Sequence, residues 1–158
     1  MSYNSSYKKN VFANLETTAQ SQIANHTSKI TVEGSEATYT PDKGSDYVVY
    51  ELTFLQTYND NATINVNYYL QSGSIGGSYS NVEGCLSNLG GSNAWSREIK
   101  SFNFIIPSWE GAKNLRVVTD TYAVSRDITL HQTKVWNGNY ENKKFYPSLI
   151  IYSVRNVD

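Results

Sequence analysis

Several residue types that mark well-known classes of protein are rare in this sequence. Cysteine occurs once, at Cys85, so no disulfide can form within the chain. No uninterrupted apolar run approaches the roughly 20 residues of a membrane-spanning helix. The opening residues also lack the apolar stretch that follows the lysines of a secretory signal. These absences predict a protein made in the cytoplasm, with neither a transmembrane segment nor a disulfide framework.

Charge is scarce as well. Only 17% of the residues are charged, and 13 Lys plus Arg stand against 14 Asp plus Glu, which gives a net charge of -1. Such a balance offers no electrostatic basis for binding nucleic acid or an anionic membrane, so neither is expected as a partner. Aromatic residues reach 13%, mostly tyrosine. A polar, weakly charged surface rich in tyrosine favours contact with another surface through shape and hydrogen bonding.

Apolar alternation with period two dominates the chain after residue 28. The stretch from Tyr47 to Gln71 contains two alternating runs around an Asn-Asp-Asn turn, which predicts a β-hairpin. One row of the first run is apolar: Val48, Tyr50, Leu52 and Phe54. Because Val49 and Leu55 fall on the opposite row, that strand is predicted to be buried on both faces, near the middle of a sheet.

The same alternation predicts further strands at residues 29–33, 37–40, 95–106, 115–122, 127–136 and 148–154. Residues 72–94 are rich in Gly, Ser and Asn and predict a long loop, as do the polar residues 136–147. Seven or eight strands without a helical period predict an all-β domain at residues 29–158. Its expected architecture is a single antiparallel β-sandwich, jelly-roll-like.

Residues 1–28 differ from the remainder and are predicted to form an N-terminal arm or anchoring segment. Phe12, Leu15, Ala19 and Ile23 are spaced by three or four residues, which could make one face of a short helix. The alternative is an extended, loosely ordered tail. So short a helix is marginal in water, so an arm of this kind would dock onto a neighbouring subunit through Phe12, Leu15 and Ile23.

Catalytic and metal-binding patterns are weak. No Cys or His lies at metal-ligand spacing from His26 or His131, and the middle of a strand favours a structural role for His131. The sequence has neither a nucleophile elbow nor a phosphate loop. Nothing in the spacing of four carboxylates in or beside strands selects a glycosidase pair, and ion pairs explain them more simply: Glu51, Glu98, Asp120 and Asp127. No catalytic residue, cofactor or metal is therefore expected.

Aromatic residues in polar loops or at strand ends are the stronger binding signal: Tyr79, Trp95, Trp109, Trp136, Tyr140 and Tyr146. A sugar ring can stack on such a side chain while neighbouring Asn, Asp and backbone groups bind its hydroxyls, as in a lectin. Alternatively, the rings fill the ends of the sandwich or line a subunit interface. We therefore treat these six residues as candidate contacts to a ligand or a partner.

Two segments support a family resemblance. Lys29 to Tyr50 contains a short strand, Tyr39-Thr40-Pro41, Gly44-Ser45 and a hydrophobic run, and it resembles the opening of small β-sandwich domains in tailed-phage fibres and other virion surface proteins. Residues 129–133 and 147–152 resemble the closing strands of such domains. The resemblance implies a jelly-roll-like domain, commonly trimeric, whose N-terminal segment anchors it to the particle. It supplies no catalytic residues.

The leading hypothesis is a non-enzymatic structural protein exposed on a virion. The chain is short and has no repetitive shaft, so a capsid decoration or a head or tail appendage fits as well as a fibre tip. Its expected partners are other copies of itself, with a trimer favoured, other virion proteins, and a host-surface glycan. The alternative is a carbohydrate-binding, lectin-like module acting alone. An enzyme ranks third, because the sequence contains no catalytic constellation.

Overall fold

The computed structural model describes residues 10–13, 29–58, 65–90, 97–121, 128–134 and 140–156. These residues form strands, turns and connections, and among them no helix is long and apolar enough to cross a membrane. The strands are β1 Asn10–Ala13, β2 Ile30–Thr31, β3 Ala37–Tyr39, β4 Tyr47–Tyr58, β5 Asn65–Ser74, β6 Tyr79–Gly90, β7 Arg97–Pro107, β8 Lys113–Thr121, β9 Ile128–Leu130, β10 Gln132–Lys134, β11 Tyr140–Lys144 and β12 Ser148–Val154. The predicted all-β fold is confirmed.

Two antiparallel sheets make up the sandwich. Sheet 1 has the order β1-β12-β4-β7, and β9 pairs with the last residues of β4. Sheet 2 has the order β2-β8-β5-β6, and β3 pairs with the first residues of β8. Strands β10 and β11 form a separate two-stranded sheet. The predicted antiparallel sandwich is thereby confirmed.

The core lies between the two sheets. The predicted row of β4, from Val48 to Phe54, is fully buried, and it faces a buried row of β5 that contains Tyr68. The rings of Phe54 and Tyr68 lie 5.5 Å apart, and those of Tyr68 and Phe102 lie 4.8 Å apart. Tilted ring pairs at this separation add to the stabilisation that burial provides. Truncating Phe54 to alanine should therefore cost about 3–5 kcal/mol of folding free energy.

The predicted hairpin between the first two long strands is wrong. Strand β4 belongs to sheet 1 and β5 to sheet 2, so the chain crosses from one sheet to the other between them. Period-two alternation places an apolar row toward the core in either arrangement, so it cannot distinguish side-by-side strands from strands that face each other. Strand β4 pairs instead with β12 and β7, which come later in the sequence.

The predicted central position of β4 is confirmed. It lies between β12 and β7, and its outward residues Val49 and Leu55 are only 8% and 7% exposed. Side chains of the neighbouring strands flank these two residues, with Ile105 and Tyr152 opposite Val49 and Ile99 opposite Leu55. The apolar residues in both rows of β4 reflect that position.

The predicted loops at residues 72–94 and 136–147 both contain strands. Tyr79–Gly90 is β6, the outer strand of sheet 2, and Tyr140–Lys144 is β11. An edge strand pairs on one side only and tolerates polar residues, which explains the misleading composition of β6. Its pairing with β5 shifts register opposite Tyr69 to Gln71, and Gly84 has φ +73 within that shift.

The prediction that His131 lies in the middle of a strand is wrong. It separates β9 from β10 and has a left-handed backbone, with φ 61. Its own N–H donates to the carbonyl of Leu55, and its carbonyl accepts from the N–H of Phe145. The left-handed conformation interrupts the alternation of β9 and places the imidazole in the protein interior, 1% exposed.

Part of the N-terminal arm pairs with the sandwich. Strand β1 pairs with β12 at the edge of sheet 1, with Phe12 opposite Leu149. The backbone at Phe12 is therefore extended, and the helical alternative is wrong for these four residues. Leu15 and Ile23 lie outside the described residues. The boundary at residue 28 remains a prediction.

Candidate binding surfaces at Trp109 and on sheet 1

A cleft of about 480 Å³ opens at one end of the sandwich. Two turns form its walls, one between β3 and β4 and one between β7 and β8. Its lining combines a ring, two hydroxyls and charged side chains: Pro41, Asp42, Lys43, Gly44, Ser45, Ser108, Trp109, Glu110 and Gly111. We call this the Trp109 cleft. Its volume suits a small organic ligand.

Hydrogen bonds join the two turns to each other and to the end of β12. The N–H of Ser108 donates to the carbonyl of Asp46 at 2.9 Å, and the hydroxyls of Ser45 and Ser108 lie 2.7 Å apart. Arg155 Nε donates to the carbonyl of Gly44 at 2.7 Å, and the N–H of Asn156 donates to Asp46 Oδ2 at 2.8 Å. The Trp109 cleft is therefore preformed, which lowers the entropy lost when a ligand binds.

Trp109 is held in place from inside the sandwich. Its ring is partly buried against the core and meets the ring of Tyr39 edge-to-face, with centroids 6.2 Å apart. The ammonium of Lys113 lies 5.4 Å from the Trp109 ring centroid, which is within the range of a cation–π contact. Burial raises the pKa of Tyr39, whose hydroxyl pairs with Ser153 Oγ at 2.8 Å. These contacts hold the Trp109 ring in a fixed position at the wall of the cleft.

The chemistry of the Trp109 cleft suits a neutral polyhydroxyl ligand. Asp42 and Glu110 are exposed and carry acceptor oxygens. The hydroxyl of Ser45 donates to the carbonyl of Asp42 and that of Ser108 donates to Ser45, so both serine oxygens offer a ligand only acceptor positions. A ligand with many hydroxyls offers donors to the carboxylates, and Trp109 supplies apolar contact area. The charges of Lys43 and Lys113 offset those of the two acids, so a net ionic attraction is not expected.

The structure separates the remaining candidate aromatics from Trp109. Tyr79 lies on the outer face of sheet 2, with the guanidinium of Arg116 3.8 Å from its ring centroid. Tyr146 is 48% exposed but precedes β12, whereas the Trp109 cleft lies at the far end of that strand. Tyr140 opens β11, and its side chain lies outside the described part of the chain, as do Trp95 and Trp136. Of the three candidate aromatics whose side chains the structure describes, Trp109 lines the cleft and Tyr79 and Tyr146 do not.

A second surface stands out on the outer face of sheet 1. Ile99 and Ile105 of β7 are 63% and 65% exposed, and Tyr47 of β4 is 39% exposed. Pairing places Val49 beside Ile105 on one side and beside Tyr152 of β12 on the other. The outer face of sheet 1 therefore carries an apolar row that runs across three strands and ends in an exposed isoleucine. Large exposed apolar side chains grouped in this way mark interaction surfaces.

The candidate carboxylates do not converge. Glu51 accepts a hydrogen bond from the hydroxyl of Tyr152 on the outer face of sheet 1, and Asp120 accepts one from the amide of Asn67 in sheet 2. Glu98 pairs with Lys100, as the sequence predicted. Asp127 lies outside the described residues. No group of three or more potential metal ligands occurs in the described part of the chain.

No family model and no curated protein matches this chain. Among solved structures, it is similar to the VP2 subviral particle of infectious bursal disease virus, with 12% identity and a TM-score of 0.44 over 97% of this chain and 39% of that chain. It is also similar to a viral particle of the same virus, with 14% identity and a TM-score of 0.43 over 95% of this chain and 36% of that chain. A third similarity, to the Gx strain, has 16% identity and a TM-score of 0.31 over 94% and 36%.

This chain thus spans less than two fifths of the length of each of those viral chains. At such identities and TM-scores, the similarity carries no information about what the chain binds.

Sequence reasoning missed the partners of Trp109 and the exposed isoleucines. A tryptophan beside Glu110 in a turn signals a site, but its pairing with the turn at Asp42 depends on the fold. Ile105 was visible as an apolar residue on the polar row of β7. Such a residue is the signal by which an apolar outer face can be found in a sequence.

Proposed function

We propose that the chain is a non-enzymatic structural protein of a virion surface that works by assembling with other copies of itself through the outer face of sheet 1. The observation that carries this proposal is the apolar row through Tyr152, Val49 and Ile105, which ends in a side chain that is 65% exposed. Val49 is already shielded at 8% exposed, so the free energy to be gained lies in Ile105, which is in water in a single copy and which a second copy can cover.

The energetic scale favours assembly. Fully burying one isoleucine side chain contributes about 1.5–3 kcal/mol. Ile99 and Ile105 in each of two copies therefore supply several kcal/mol, although association costs at least about 4 kcal/mol in lost freedom of motion. Contacts of this strength are individually weak and become strong when many copies form a closed shell.

The assignment to a virion comes from the resemblance of residues 29–50 and 129–152 to virion surface domains. The same resemblance favours a trimer and a role for residues 1–28 in attaching to other virion proteins. A capsid decoration, a head or tail appendage and a fibre tip all remain within this proposal.

Solution mass tests the proposal directly. In sedimentation velocity at micromolar concentration, the wild-type chain should form oligomers, and the double variant Ile99→Lys/Ile105→Lys should be shifted toward the monomer. The matched control is Ile75→Lys/Leu86→Lys, which adds the same charge at side chains that are 60% and 55% exposed and belong to the turn before β6 and to β6 itself. A wild-type chain that stays monomeric with and without residues 1–28 would refute the proposal.

The Trp109 cleft favours a second function, the binding of a carbohydrate, which could be a host-surface glycan. The cleft of about 480 Å³ is lined by a ring, hydroxyls and carboxylates, which are groups that can contact a sugar. This function is compatible with the first, because the cleft lies at the end of the sandwich and the apolar row lies on the face of sheet 1.

A glycan array followed by calorimetry tests this second function. Glu110→Gln and Asp42→Asn remove acceptor charge from exposed side chains without disturbing the core, and each should weaken binding about tenfold, as expected for a hydrogen bond to a charged group. Tyr146→Ala is the matched control, because it removes an exposed ring at the other end of β12. An array without hits, or equal binding by all these variants, would exclude the Trp109 cleft as a sugar site.

A further inference from the structure

Strand β7 forms an edge of sheet 1. It pairs with β4 along its whole length, from Arg97 to Pro107, with no shift in register. In the described part of the chain, no strand pairs with its other side. An edge strand presents unpaired N–H and C=O groups. Natural edge strands are therefore usually short, interrupted by a bulge, or protected by proline or charged side chains. Strand β7 carries the charged residues Arg97, Glu98 and Lys100 at its start and a proline at its last residue, and residues 101–106 between them contain neither.

The backbone groups that face the open side can be identified. Asp46 and Ser108 directly follow the last pair between β4 and β7, Tyr47 with Pro107, and continue its register. The N–H of Ser108 donates to the carbonyl of Asp46. Hydrogen bonds to a neighbour alternate along an antiparallel strand, so the even-numbered residues of β7 bond to β4. The odd-numbered residues direct their N–H and C=O groups to the open side. These residues are Ile99, Ser101, Asn103 and Ile105.

The same four residues present their side chains on the outer face of sheet 1, and all four are exposed. Their order along the strand is symmetrical in character: an isoleucine, two small or medium polar residues, and a second isoleucine. A sequence that reads the same in both directions is suited to pair with itself antiparallel about a two-fold axis.

We propose that β7 pairs antiparallel with β7 of a second copy about a two-fold axis at Phe102, so that the two sheets become one continuous sheet. In this register Ile99 opposes Ile105 of the second copy, and Ser101 opposes its Asn103. The inference rests on the proposed function, self-assembly, and names one two-fold contact within it; a trimer requires a further contact, which this one does not supply.

Other registers of the β7–β7 pair place less compatible side chains opposite each other. A shift of one residue in the pairing would bring inward side chains of one copy to the outer face of the other. A shift of two residues in one direction places Ile99 opposite Asn103 and Ile105 opposite Arg97. In the other direction it places Ile99 opposite Pro107 and Ile105 opposite Ser101. Only the proposed register places both isoleucines opposite apolar side chains.

The outer face of sheet 1 continues across the proposed contact. Ile105 lies beside Val49, and Ile99 lies beside Leu55 of the same copy. Pairing of the two edges therefore joins Tyr152, Val49 and Ile105 of one copy to Ile99 and Leu55 of the other in one apolar row. Cross-strand apolar neighbours of this kind are the main unit of sheet stabilisation.

Disulfide cross-linking can determine the register of the proposed β7–β7 pair. In a Cys85→Ala background, Ser101→Cys and Asn103→Cys are prepared separately and oxidised alone and as an equimolar mixture. Directly opposed residues have Cβ atoms about 4.5–5.5 Å apart and diagonal ones about 7–8 Å apart, whereas a disulfide needs about 3.5–4.5 Å. The mixture should therefore cross-link about tenfold faster than either protein alone. Thr53→Cys is the matched control, because Thr53 lies on the same face, in β4, beside Ser101.

Each outcome decides the inference. Fast cross-linking in the mixture only, with none for Thr53→Cys, supports the contact and its register. Fast cross-linking of Ser101→Cys alone, or of Asn103→Cys alone, shows a register shifted by two residues and overturns the proposed register. Oligomers in sedimentation velocity without cross-linking in any combination overturn the edge contact and leave self-assembly standing. A monomeric wild-type chain overturns both.

Discussion

Acid should destabilise this protein through His131. The imidazole is 1% exposed and lies 5.9 Å from the ring of Phe54, edge-to-face. Burial lowers the pKa of His131 to about 4, while the backbone of Glu33 acts in the opposite direction. The ordinary pKa of histidine is 6.5. The folded protein therefore holds a neutral imidazole over a pH range in which the unfolded chain is already protonated.

The sign and size follow from proton linkage. Because the pKa of His131 is lower in the folded state, the unfolded chain binds the proton more tightly, and acid favours unfolding. The contribution to stability is complete above pH 6.5 and is lost as the pH falls from 6.5 to 4. At about 1.4 kcal/mol per pKa unit, the full loss is about 3 kcal/mol, of which about 2.5 kcal/mol falls between pH 7.5 and pH 4.5.

Urea unfolding at these two pH values measures the effect, with His131→Asn as the comparison. Among non-glycine residues that do not titrate, asparagine is the one that best tolerates the left-handed backbone at this position. The variant should be less stable at pH 7.5, since it loses the ring contact with Phe54. On acidification, however, it should lose about 2.5 kcal/mol less than the wild type. Equal losses in the two proteins, or an imidazole that titrates above pH 6 by NMR, would refute this reasoning.

The remaining predictions concern buried groups and one close approach of the backbone. Gly34→Ala should lower the free energy of unfolding by more than about 2 kcal/mol, because φ of Gly34 is +79 and the new methyl would meet the ring of Pro147. Gly76→Ala should lower it by about 1 kcal/mol, because φ of Gly76 is +72 but the space around it is open. Equal losses in the two variants would contradict the steric argument. Tyr50→Phe should cost about 1–3 kcal/mol in urea unfolding, because it removes the hydroxyl that donates to the buried carbonyl of Ser35. Burial raises the pKa of the thiol of Cys85, the single cysteine of the chain. Its labelling by a thiol reagent should therefore be about 100-fold slower in the native protein than in urea. Similar rates would show that this part of the core opens readily.

Local patterns in the sequence were enough to predict the faces of the long strands. The buried rows of β4 and β7 and the end of β7 at Pro107 follow from alternation and from proline's missing N–H, and these properties act between near neighbours in the chain. Trp109 was predicted as a contact residue for a related reason, since its flanking residues are polar and form a turn. Composition misled where an edge strand, β6, is rich in Gly, Ser and Asn.

Only the tertiary structure decided which strands pair, because backbone hydrogen bonds in a sheet are alike and carry no record of their partners in the sequence. It assigned β4 and β5 to opposite sheets, joined the turn at Asp42 to Trp109, and left β7 at an edge. It also turned His131 inward through a left-handed backbone that alternation does not reveal. The sequence alone determined which residues the long, alternating strands bury, and the fold determined which neighbour each strand meets.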